Sequence, residues 1–221
     1  MAPEDRAETQ TAEPAPPISL RKALVVLALQ AIGMGAIGVF LWRWSGREQA
    51  GFITFSTVQL LQGLALGLAL IAIAYALFRG LPRISERLVR MQADTYAFLG
   101  PKLGWPAIVI ISICAGAGEE ALFRGGLQTF LGDYVGVPLA IALSSAVFAV
   151  IHLGKPAITA LLLVIGAIFG IVFWLTGSLL AVMVGHALYD IWALRYLHRE
   201  FQRLGLVGDP PPPLAKSASR S

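Results

Sequence analysis

The sequence predicts an all-α polytopic membrane protein, a bundle of about six transmembrane helices with one interfacial amphipathic helix. Three observations carry that expectation. Charge is scarce, with 14% of the 221 residues Asp, Glu, Lys or Arg, against about 25% in a soluble domain. Apolar residues make up 57% of the chain and mean hydropathy is +0.72. The charges are also absent from five windows, Ala23–Trp42, Gln49–Phe78, Leu103–Gly118, Tyr134–Gly154 and Pro156–Tyr189, lengths comparable to the roughly 20 apolar residues of a spanning helix. The single cysteine, Cys114, excludes an internal disulfide framework, and it reads as a small core residue with no neighbouring His to activate it. A net charge of +4 raises the possibility of nucleic acid, but no basic cluster interleaved with aromatics supports it.

The elements follow in order. Residues 1–20, acidic and Ala/Pro-rich at the start, read as a disordered tail. Arg21 and Lys22 flank the first span, roughly Ala23–Trp42, which is too long for a signal-peptide core and reads as retained. The second span is roughly Phe55–Phe78, with Arg43, Trp44 and Arg47 in the intervening turn. Between Arg79 and Lys102 the apolar Leu81, Ile84, Leu88, Val89, Met91 and Phe98 mix with Arg83, Arg87 and Arg90, the pattern of an interfacial amphipathic helix. Two N-terminal helices and this segment make one unit, 21–104. A four-helix core, 105–200, holds the third span from Trp105 through Leu131, the fourth over Val137–His152, the fifth over Ala157–Leu175 and the sixth over Leu179–Tyr196. The remainder, 201–221, with Pro210–Pro213, reads as a disordered, extended tail. Gly63 with Gly67, and Gly166 with Gly170, are spaced for close helix approach.

Basic residues give the orientation. If the N-terminus is cytoplasmic, fourteen Lys and Arg fall on the inner side and only Arg43 and Arg47 on the outer, so both termini are expected in the cytoplasm. The composition suits a bacterial inner membrane.

The seventeenth basic residue, Arg124, belongs to neither set. Ionisable groups at membrane depth cost a few kcal/mol each and default to a functional reading. Here they are Glu119, Glu120, Arg124, His152, His186 and Asp190, all in the last four spans. On an α-helix Glu120 and Arg124 lie about 40° apart and can pair, whereas Glu119 points about 140° from Arg124. A carboxylate without a local partner in apolar surroundings suits proton transfer. Phe148 stands one turn before His152, and His186 one turn before Asp190. His198, beside Arg199 and Glu200, reads as a surface residue.

These residues form the ordered pattern Glu-Glu-x-x-x-Arg, Phe-x-x-x-His and His-x-x-x-Asp on successive apolar helices. Phe123-Arg124-Gly125 closes the first motif and Thr176-Gly177-Ser178-Leu179 precedes the third. Over Trp105–Leu194 the chain resembles the intramembrane proteases of the CAAX-processing and bacteriocin-immunity (CPBP) family, which includes the type II CAAX prenyl endopeptidases. The resemblance implies an endopeptidase acting on a membrane-associated peptide or protein that reaches the site from the bilayer. Glu119 with His152 would activate water, and His186 with Asp190 would stabilise the oxyanion. Glu120, Arg124 and Phe148 would be structural or substrate-orienting. The family's third motif often ends in Asn, and Asp190 departs from it. An ionised Asp would repel an oxyanion, so Asp190 is expected to hold His186 in the right tautomer and leave the imidazole to donate.

Two readings of the cofactor stay open: none required, or a divalent zinc ion on Glu119, His152, His186 and Asp190, a reasonable nitrogen and oxygen set. Hydrolysis in a bilayer also calls for a polar cavity among the last four spans. The alternatives are a catalytically silent immunity or scaffold protein, and a proton-coupled transporter, which would more often show internal repeats. Substrate identity and oligomeric state are not legible.

Overall fold

A computed structural model describes residues 19–96 and 103–206, and every regular element among them is helical. The expected tails over 1–18 and 207–221, and the end of the Arg79–Lys102 segment, lie outside the described residues. In chain order the α-helices are α1 (Leu20–Trp44), α2 (Thr57–Gly80), α3 (Pro82–Tyr96), α4 (Trp105–Glu120), α5 (Thr129–Val135), α6 (Val137–Ile151), α7 (Pro156–Thr176) and α8 (Leu179–Arg203). Local chemistry explains their ends. Ser19, Ser56 and Ser178 each accept a hydrogen bond from a first-turn amide, of Lys22, Gln59 and Ala181 respectively, satisfying donors a helix start leaves free. Pro106, Pro138 and Pro156 sit in the first turns of α4, α6 and α7, where their missing N–H costs nothing. Gly177, at φ 62°, closes α7 in the left-handed conformation.

Four stretches are long and apolar enough to cross a membrane: α1, α2, α7 and the continuous helical run Trp105–Val135. Six were expected, and the other two differ for physical reasons. α6 has 15 residues, about 22 Å at 1.5 Å per residue, short of a hydrocarbon core of about 30 Å. α8 is long but carries His186, Asp190, Arg195, Arg199, Glu200 and Arg203. These are the two helices that deliver the histidines.

Small residues set the helix approaches. α1 crosses the run following α4, α2 runs along α8, α4 packs on α8, and α6 on α7. A Cβ on Gly38 would collide with the Ala121 carbonyl, and one on Gly126 would sit 2.7 Å from the Gly38 Cα. On α2, Gly63 and Gly67 abut Ala181, Val184 and Leu188 of α8, in keeping with the spacing argument. Outside the bundle, Arg47 pairs through both guanidinium nitrogens with Asp133, each contact 2.7 Å, tying the α1–α2 turn to α5.

The amphipathic helix forms as expected. α3 buries Val89 against Leu197 and Phe201 of α8. α8 therefore continues through Arg203, so the helical core extends past residue 200. His198 corrects the surface reading: it is buried and lies 3.2 Å from the Gln202 side-chain amide. Its charged neighbours gave a solvated pattern, but His198 lies one turn after the buried Leu194.

Candidate active site

The first motif sits where the backbone changes form. α4 ends at Glu120, and Ala121–Gln128 continues as a π-helix before α5 begins. Nothing in the composition foretold this. π segments are rare and frequent at functional sites, because the widened turn shifts side-chain directions and leaves carbonyls to be satisfied otherwise. Here Ser144 donates to the Phe123 carbonyl at 2.9 Å and Thr129 to the Arg124 carbonyl at 2.8 Å.

Glu120 and Arg124 pair as the spacing anticipates, with Nε 3.2 Å from Oε2 and both side chains fully buried. The guanidinium also donates from Nη2 to the Gly166 carbonyl at 2.9 Å. One turn on, Gln128 donates to the Gly170 carbonyl at the same distance. The two α7 glycines thus let the polar arms of the π segment reach the backbone. Phe123, Phe148 and Phe169 surround the guanidinium with centroids 5.9, 5.1 and 5.8 Å from Cζ, within cation–π range. Phe148, singled out from its motif, is therefore one wall of an aromatic box.

His186 departs from the expected pairing. Its Nδ1 lies 2.8 Å from Oε1 of Glu120, 66 positions away in sequence, and its ring stacks on Phe169 at 4.8 Å. The Asp190 carboxylate is 3.5 Å from Nε2. Glu120, rather than Asp190, therefore fixes the ring through Nδ1. Glu120 serves two partners, and no local spacing could have shown the second.

Glu119 occupies the open side. Its two oxygens lie 3.9 Å from His152 Nε2 and 3.8 Å from His186 Nε2, beyond direct hydrogen bonding. His152 caps the end of α6, its Nδ1 donating to the Phe148 carbonyl at 2.6 Å and its ring 4.7 Å from Phe148. That bond fixes the tautomer and turns Nε2 towards Glu119. The next residue, Leu153, adopts φ 46°, a left-handed conformation that is strained for a branched side chain. All six expected polar residues thus gather in one cluster.

The four candidate zinc ligands form a chain of neighbours, His152 beside Glu119, Glu119 beside His186, and His186 beside Asp190. Among the described residues no group of three or more His, Cys, Asp or Glu is arranged to hold a metal ion.

A cleft of about 150 Å³ reaches Asp190, between the end of α2, α3, α7 and α8. It is not the polar cavity expected among the last four spans, since α2 and α3 form part of its wall. Leu88, Val89, Ile158, Leu161 and Leu194 make much of its wall, with Tyr96 and Tyr189 adding phenols. Sequence reasoning passed over Tyr96, which belongs to the amphipathic helix, and Phe169, whose role needs a stacking partner to be seen.

Residues 101–192 match the family model described as Type II CAAX prenyl endopeptidase Rce1-like. The matched residues hold Glu119, Glu120, Arg124, His152, His186 and Asp190, and leave α1, α2 and α3 outside. No curated protein and no solved structure matches the chain. The match lies across the site and the apolar helices around it, so this part of the chain is similar to the CAAX-type membrane proteases, in keeping with the resemblance its motifs carry.

Proposed function

We propose that the chain is an intramembrane endopeptidase in which Glu119 and His152 activate a water molecule. The observation that carries this reading is the placement of Glu119, whose oxygens face two imidazole nitrogens at 3.8 and 3.9 Å. That separation is too long for a direct bond and suits a shared water. Glu119 takes a proton from the water, and the oxygen attacks the scissile carbonyl carbon. The resulting oxyanion is met by His186. Since Nδ1–H is donated to Glu120, Nε2 can donate only from the imidazolium, whose charge Asp190 and Glu120 balance on either side. When the carbon–nitrogen bond breaks, the proton held by Glu119 passes to the leaving amine. No step runs through a metal. Glu120, Arg124 and Phe148 position the others.

The substrate is a peptide or protein that enters from the bilayer, and the basic-residue distribution argues for a site facing the cytoplasm in a bacterial inner membrane. Peptides that accumulate in cells carrying Glu119→Gln, compared with cells carrying the active chain, would identify it. Cleavage of such a peptide by purified protein in detergent, abolished in Glu119→Gln with the fold intact and in His186→Ala together with a loss of stability, is the expected result. Normal cleavage by both variants would remove the peptidase reading, and binding without cleavage by the unaltered chain would favour a scaffold.

A further inference from the structure

Arg83, Arg87 and Arg90 recur at intervals of four and three along α3, so they form one exposed stripe. The stripe borders an open cleft of about 510 Å³ that also takes in Glu86, Met91 and Lys155. Lys155 precedes α7, three residues after His152, which brings the cleft beside the loop that ends the second motif. Glu86 is committed to Arg90 at 2.8 Å and lies 3.8 Å from Arg203. Arg83 and Arg87 form no ion pair among the described residues. Like charges one turn apart repel along a helix, so such a stripe is stabilised by an anion from outside.

The surroundings specify the anion. Leu81 and Ile84, flanking Arg83, are 47% and 53% exposed. Cations beside bare aliphatic side chains on an amphipathic helix match a molecule with a phosphate and acyl chains together. We infer that the cleft between α3 and the start of α7 binds the headgroup of an anionic phospholipid, through Arg83 and Arg87. Leu88, Val89 and Tyr96 of the same helix line the apolar cleft that reaches Asp190. A lipid held on one side of α3 therefore sets the position of a wall of the candidate active site. This regulatory consequence rests on the peptidase reading, whereas the binding itself does not.

The test uses the full chain in detergent, with phosphatidylglycerol and phosphatidylcholine retained by the protein counted by native mass spectrometry. The unaltered chain should retain phosphatidylglycerol selectively. The double variant Arg83→Gln/Arg87→Gln should lose about thirtyfold in that affinity, at about fivefold for each surface cation, while Arg83→Lys/Arg87→Lys keeps it and both melt like the parent. Glu119→Gln should retain the lipid fully, which separates this result from failure of the catalytic assignment. In vesicles, cleavage should be severalfold faster in phosphatidylcholine with phosphatidylglycerol than in phosphatidylcholine alone, and the double variant should lose that difference. Equal lipid retention by the parent and the glutamine variant would overturn the proposal. So would normal lipid retention with slower cleavage of acidic peptides only, because the cradle would then read the substrate.

Discussion

Glu119 and Glu120 are consecutive residues that stand in opposite regions of the same site. Around Glu120 everything is closed: its carboxylate meets Arg124 and His186, and three phenylalanines pack over the guanidinium. Around Glu119 the contacts are long, and its neighbours His152 and Asp190 keep side-chain exposures of 32% and 24%. A buried charge group of the first kind is strongly destabilised when one member is removed, because the others are left unpaired in apolar surroundings. A carboxylate of the second kind is held only by long contacts, at distances that suit a bridging water. On the proposed mechanism the difference teaches a division of work between adjacent carboxylates: one builds the site and the other is the one assigned its chemistry.

Breaking the closed region should give the largest effect. Arg124→Ala strands Glu120, and a loss of about 3–5 kcal/mol is expected, read as failure to melt cooperatively in detergent. A substitution on the open side should separate activity from stability. His152→Ala is expected to cut the rate of peptide cleavage by about 10²–10⁴, the usual contribution of a positioned acid or base, with the melting temperature nearly unchanged. At the helix crossing beneath both regions, Gly126→Val pushes into Gly38 of α1, and overpacking there should cost about 1–3 kcal/mol by chemical denaturation. Ser144→Ala removes the donor to the π-segment carbonyl of Phe123 and should cost about 1 kcal/mol in the same measurement.

The smallest effect lies outside the membrane. Burial, and then nearby Arg195, hold the His198 imidazole below its ordinary value. The folded protein thus favours the neutral ring. Its contribution to stability is present above the unfolded histidine value near 6.5 and is lost as pH falls through the lower folded one. His198→Gln should flatten the stability profile in that acid range, measured by melting temperature against pH, while a parallel profile for both proteins would contradict the burial argument.

Much of this could be read in the residues. Long charge-free windows fixed α1, α2 and α7 closely, and helical spacing anticipated the Glu120–Arg124 pair and the grouping of the polar residues. What escaped depends on distance in sequence or on backbone form. The bond between His186 and Glu120 spans 66 residues, and no periodicity encodes it. The π segment has an ordinary composition, since a changed hydrogen-bond register leaves no residue signature. The burial of His198 escapes because Arg199 and Glu200 look solvated, although His198 lies one turn after the buried Leu194. α3 itself was legible as amphipathic, but not the way its Tyr96 lines the cleft at Asp190.

The division of labour between the two carboxylates is tested most directly by one paired measurement on Glu119→Gln and Glu120→Gln, following thermal unfolding and cleavage of the identified peptide in detergent. Glu119→Gln should unfold like the parent and cleave nothing measurable, while Glu120→Gln should unfold at a clearly lower temperature. Cleavage at the parental rate by Glu119→Gln, or equal loss of stability in both variants, would contradict it.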